Sequence, residues 1–197
     1  MAHADGSNDV PKQSELPRRA DPLVTAVQAA RRPDVRQAVH AVYAELEREI
    51  ARRRPRCDIS GRCCHFDAYG HRLYVTTAEL ATFLDDLDAG AVPRTMAAST
   101  ETRRAGGLAL PVWQGPSCPL LVDGLCSVHP VRPFGCRVFF CDPDASAWVR
   151  DTYEAIHRRL RAVHDELGLS YHYVEWRSAL SRLGIGLGTA RRLPRGL

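Results

Sequence analysis

Seven cysteines lie in two short groups of the chain, and they constrain its folding more than any other feature. The first group is CDISGRCC and the second is CPLLVDGLCSVHPVRPFGCRVFFC. Thiolates at these intervals repel one another, so a soft cation, an iron–sulfur cluster or oxidation to disulfides must neutralise them. The clustering indicates a metal site with seven candidate ligands: Cys57, Cys63, Cys64, Cys118, Cys126, Cys136 and Cys141.

The choice between metal and disulfides depends on the redox compartment. The opening stretch MAHADGSNDVPKQSELPRRADP lacks the apolar region of an export signal, and no stretch of the chain is long enough to span a bilayer. We therefore expect a cytoplasmic protein, away from membranes, in which thiols stay reduced. The odd number of cysteines and the adjacent Cys63–Cys64 pair also disagree with a complete disulfide framework.

Length and charge limit the domain organisation. The 197 residues, 45% of them hydrophobic, suffice for one core of ordinary size. We predict a single metal-binding domain over residues 22–183, between a disordered tail of residues 1–21 and a C-terminal tail of residues 184–197. The formal charge of +4 comes from arginine, since Lys12 is the only lysine. A charge this small does not by itself indicate nucleic acid, which we regard as an improbable partner.

Hydrophobic periodicity predicts helices on both sides of the cysteine groups. After Pro33, apolar residues at helical spacing predict a helix that Pro55 ends. Beyond Cys141, an amphipathic helix is predicted from Asp144 to about Leu167, and a further helix from about Tyr171 to Leu183.

The stretch between the two cysteine groups contains strand signals. RLYVTTAEL predicts a short strand followed by a helix, because Thr76 and Glu79 form a capping box. Residues 89–107 are small and polar and predict a loop, with a weak helix over residues 95–104 as the alternative. After them, LALPVW, PLLV and LCSV are short apolar runs.

The turn Asp123-Gly124 separates the last two of these runs and predicts a hairpin that carries Cys118 and Cys126. The predicted fold class is therefore mostly helical α+β. Helices flank a small cysteine-rich loop and hairpin core, residues 57–141, which binds metal.

Other side chains within the cysteine segments are candidates for the same site. His129, three residues after Cys126, is an eighth candidate ligand. Eight ligands are enough for two four-ligand sites, for one cluster and one zinc, or for one site with spare thiols. Arg62, Arg132 and Arg137 can offset the charge of thiolates through hydrogen bonds, unless they are simply exposed.

The order of these motifs resembles a known family. CDISGRCC, then CPLL, then CSVHPVRPFGCR and a last Cys141 resemble the YkgJ-like cysteine-cluster family, a zinc- or iron-chelating domain described by a CxxCxxCC pattern. The resemblance covers somewhat under half of the chain, and here five residues separate Cys57 from Cys63. It implies metal chelation with all seven cysteines as ligands. A related domain occurs in flagellin lysine N-methylase.

We therefore expect a protein that binds an iron–sulfur cluster, such as 4Fe–4S, or zinc, in a structural or a redox and sensing role with a protein partner. We favour the cluster because seven thiolates and one histidine exceed a single zinc shell, and because neighbouring arginines suit an anionic centre. One alternative is an enzyme, either a redox enzyme or a protein-modifying methyltransferase component. Another is a zinc-stabilised interaction module that binds RNA through Arg52 to Arg56. No catalytic residues are predicted.

Overall fold

The computed structural model describes residues 20–58, 60–91 and 115–185. These residues are mostly helical with a few short antiparallel strands, which confirms the predicted α+β class. In chain order the elements are α1 (Pro22–Ala30), α2 (Pro33–Arg53), β1 (Tyr74–Thr76), α3 (Thr77–Asp88), β2 (Leu121–Val122), β3 (Leu125–Cys126), α4 (Phe134–Arg137), α5 (Ser146–Glu166), β4 (Tyr173–Glu175) and α6 (Trp176–Arg182).

Several predictions fall outside the described residues. These are the loop with its alternative weak helix, the run LALPVW and nearly all of both predicted tails. None of the described helices is long and apolar enough to cross a membrane.

The helices begin and end at the residues whose chemistry favours those positions. Asp21 caps α1 by accepting a hydrogen bond from the amide of Leu23 at 2.8 Å. The predicted helix after Pro33 is confirmed as α2, and Arg54, with a φ of 51°, ends it just before Pro55. The capping box of Thr76 and Glu79 is present at the start of α3.

Helix α3 is the centre of the fold, because α1 and α2 both pack against it. It is buried on nearly all sides, including the polar side chains of Thr76, Glu79 and Asp86 at its two ends. One apolar cluster joins α1, α3 and α6, and it contains Cys64 and Cys118. The other joins α2 to α5 and contains Phe134 of α4. The cysteine segments are thus anchored to both halves of the core.

The helix predicted from Tyr171 is wrong over residues 171–175, because Tyr173–Glu175 form strand β4. This strand pairs antiparallel with β1, with Thr76 opposite Tyr173. Aromatic and β-branched residues favour such a strand pair. The backbone hydrogen bonds to β1 stabilise a strand here, although the apolar residues have the spacing of a helix. Helix α6 begins only at Trp176, where Glu175 accepts from the amide of Ser178 at 2.8 Å.

The predicted hairpin is confirmed: β2 and β3 pair antiparallel, with Leu121 opposite Cys126. Its turn has positive φ at both Asp123 and Gly124, which matches the twist of a two-residue hairpin. Cys126 lies within β3, and Cys118 lies just before β2.

Candidate metal centre

The first cysteine loop is fixed against the hairpin by its backbone. Gly61 has a φ of 68°, and a Cβ there would lie 2.8 Å from the carbonyl oxygen of Gly124, so only glycine fits. The chain then forms a 3-10 turn over Arg62–Cys64. The amide of Cys118 donates to the carbonyl of Cys64 at 2.6 Å, which joins the two cysteine groups directly.

Five of the seven cysteines come together at this junction, and we call them the inner thiols. Cys64 is the central member, because its pKa responds to the side chains of three of the others. Cys136 of α4 is close enough for its pKa to respond to the charges of three of the same thiols. The inner thiols come from four separate stretches of chain, and they are Cys63, Cys64, Cys118, Cys126 and Cys136.

Proximity and burial shift the pKa values of the inner thiols in opposite directions. Interaction with the Cys64 thiol is the main cause that lowers the pKa of Cys63 to about 6, and it also lowers the pKa values of Cys118 and Cys126. The same three neighbours, together with burial, raise the pKa of Cys64. Burial raises the pKa of Cys136 well above its usual range.

Neighbouring N–H groups also lower the pKa values of two inner thiols. The amide of Leu120 and the indole of Trp176 lower the pKa of Cys118. The amide of Val128 lowers the pKa of Cys126. N–H groups near sulfur stabilise its negative charge, and metal-bound thiolates require the same support.

Of the three arginines predicted near the site, Arg132 is the one whose charge acts on the inner thiols. Its charge lowers the pKa values of Cys63 and Cys126 and opposes the rise at Cys136. Its Nε is buried and has no hydrogen-bond partner in the described part of the chain. A buried N–H without an acceptor is costly, and a metal-bound sulfur would supply one.

The other two arginines act elsewhere. Arg137 donates from Nε to the carbonyl of Arg132 at 2.8 Å and pairs with Glu47 at 2.7 Å, so it fixes the loop that carries Arg132. Arg62 is exposed and lies over the ring of Tyr69.

Three predicted ligands lie away from this junction. Cys57 is exposed, and Cys141 lies 3.3 Å from the hydroxyl of Ser60; we call these two the outer thiols. Neither contributes to the main pKa shifts of the inner thiols. His129 is exposed, and its Nε2 accepts a hydrogen bond from Arg132.

The donor chemistry of the inner thiols fits a soft metal, although their placement is not yet a coordination shell. Among residues 20–58, 60–91 and 115–185, no three His, Cys, Asp or Glu side chains are arranged to hold a metal ion. The side chains of Cys63, Cys118 and Cys126 instead lie around Cys64. Several thiols with surrounding N–H groups and an unpartnered Arg132 Nε–H are nevertheless the environment that thiolate ligands need.

Sequence reasoning missed two residues that shape this centre. Trp176 was not predicted as a site residue, and its position near Cys118 depends on the long-range pairing of β4 with β1. Glu79 was identified only as a helix cap. Its carboxylate also accepts from the amide of Phe134 at 3.0 Å and from the hydroxyl of Tyr43 at 3.1 Å, which fixes the start of the helix that carries Cys136.

Comparison with known proteins gives no match: no family model, no curated protein and no solved structure matches the chain. The resemblance to the YkgJ-like family therefore stays a prediction that rests on the motifs themselves.

Proposed function

We propose that the inner thiols bind a soft metal, as an iron–sulfur cluster or as zinc, and that the protein uses this centre in a structural or a redox and sensing role with a protein partner. One observation carries the proposal: four stretches of chain bring five thiols together beside a buried arginine N–H that has no partner among the described residues. A core cysteine without a ligand needs no such donors, because a neutral thiol is satisfied by apolar contacts.

The inner thiols are the proposed ligands. The outer thiols are additional ligands if the centre takes more than four protein ligands. An iron–sulfur cluster would supply one-electron chemistry, and zinc would supply folding energy. The cluster remains favoured, because five inner thiols exceed one tetrahedral zinc shell and because Arg132 suits an anionic centre.

The first test is to purify the protein without oxygen and to count iron, zinc and acid-labile sulfide in the sample whose absorption spectrum is recorded. We expect a brown protein with equal iron and sulfide. A colourless protein with stoichiometric zinc would select the zinc form instead. A protein that contains neither metal, and binds neither on reconstitution, would contradict the proposal.

The role of Arg132 gives a second test, because its Nε–H is proposed to donate to a ligand sulfur. Arg132→Gln is expected to weaken metal retention by about 10- to 100-fold, as is usual for partners of metal ligands. Arg62→Gln is the matched control, since Arg62 lies over Tyr69 and should leave retention unchanged. The amount of metal transferred to a competing chelator measures metal retention in both variants. Equal retention in the two variants would show that Arg132 does not support the centre.

A further inference from the structure

A cleft lies between the chain that leads into β1 and helices α4 and α5. Its volume is about 180 Å³. Its lining includes His71, Arg72, Phe139, Val149 and Tyr153. Gly135, the neighbour of Cys136 in the sequence, lines it too.

The size of the cleft restricts what it can hold. Most pockets for drug-sized ligands measure about 300–1,000 Å³. The enclosed part of this cleft therefore suits a single substituted ring.

The walls indicate a flat, aromatic occupant. The rings of His71 and Phe139 lie 4.5 Å apart between their centroids, and Tyr153 faces them from α5. The hydroxyl of Tyr153 is already hydrogen-bonded to that of Tyr173, so Tyr153 offers its ring and not a free polar group. Aromatic rings pack well against such surfaces in offset or tilted arrangements.

One charged group at the cleft has no partner in the described residues. Arg72 is exposed and makes neither an ion pair nor a hydrogen bond there, so its guanidinium is free to bind a carboxylate.

We propose that this cleft binds a small aromatic carboxylate, such as a hydroxybenzoate. Arg72 binds the carboxylate, and Phe139 and Tyr153 cover the ring. This site goes beyond the proposed metal centre and does not require it.

The test is calorimetric titration of the full chain with 4-hydroxybenzoate and with its neutral analogue 4-hydroxybenzyl alcohol. For about ten non-hydrogen atoms we expect saturable binding of the acid with a Kd of roughly 0.1–1 mM. Arg72→Gln is expected to weaken the acid about tenfold or more and to leave the alcohol unchanged. Arg158→Gln, which removes an exposed arginine on α5, is the matched control.

Val149→Phe, which fills the cleft from α5, should abolish binding of both compounds while circular dichroism shows an intact fold. The inference is overturned if the acid does not saturate, if Arg72→Gln binds it like the wild type, or if Val149→Phe still binds it. Metal content is measured in the same samples. A protein without metal that binds the acid would overturn the proposed function and uphold this site.

Discussion

Replacement of Cys64 by serine is expected to remove the metal from the protein and to destabilise the fold. Cys64 lies among three other inner thiols, so we expect it to be one of the ligands. A serine hydroxyl has a similar size but stays protonated near neutral pH and is a poor ligand for a soft metal. Metal content should fall to background. The free energy of unfolding should drop by several kcal/mol, because the binding energy of a structural metal is folding energy.

The matched control is Cys57→Ser, because Cys57 is exposed and lies apart from the inner thiols. This variant should keep most of the metal. Metal analysis and chemical unfolding of both variants, beside chelator-treated wild type, separate loss of the ligand from loss of packing. Full metal content in Cys64→Ser would refute the ligand assignment. Equal loss in Cys57→Ser would instead show that inner and outer thiols form one centre.

Local sequence signals were sufficient for most of the helices and for the hairpin. The capping box of Thr76 and Glu79, the prolines around α2 and the Asp123-Gly124 turn are each determined within a few residues. Strand β4 was predicted as helix because its partner β1 is about a hundred residues away. The three residues of β4 contain no local signal of that partner, so the hydrophobic pattern of the sequence does not predict the strand.

The candidate site was predictable in composition but not in arrangement. Spacing identified seven thiols, yet only the close approach of Gly61 to the hairpin shows which of them meet. The same applies to the arginines. Arg62 and Arg132 both lie close in sequence to cysteines, but Arg62 covers Tyr69 while the charge of Arg132 acts on the inner thiols. Side-chain direction, which sequence spacing leaves open, decides their roles.

Stability of the centre also depends on a buried carboxylate that belongs to neither cysteine group. Glu79 is buried and accepts four hydrogen bonds: Oε2 takes the amide and hydroxyl of Thr76, and Oε1 takes the hydroxyl of Tyr43 and the amide of Phe134. Burial raises the pKa of Glu79. These bonds connect α2, α3 and α4, so Glu79 couples the core to the segment that carries Cys136.

Glu79→Ala is expected to lower the free energy of unfolding by about 3–5 kcal/mol, because two buried amides and two hydroxyls lose their acceptor. Glu79→Gln should lower the free energy of unfolding by less, about 1–3 kcal/mol. Glutamine keeps one acceptor oxygen, and its NH₂ group faces one backbone N–H that is left without an acceptor. Glu154→Gln, an exposed change on α5, should cost less than about 0.5 kcal/mol and serves as the control. Urea unfolding measures all three.

The pH dependence of the same variants tests whether Glu79 itself titrates in the folded protein. Its pKa is higher in the folded protein than the ordinary value of 4.5, so the folded state holds more protons than the unfolded chain between those two values. Wild-type stability should therefore fall as the pH rises from 4.5 through the folded pKa. Both Glu79 variants should lack this decline. An identical decline in Glu79→Gln would assign the titration to another group, and a cost near zero for Glu79→Ala would show that α4 does not depend on this carboxylate.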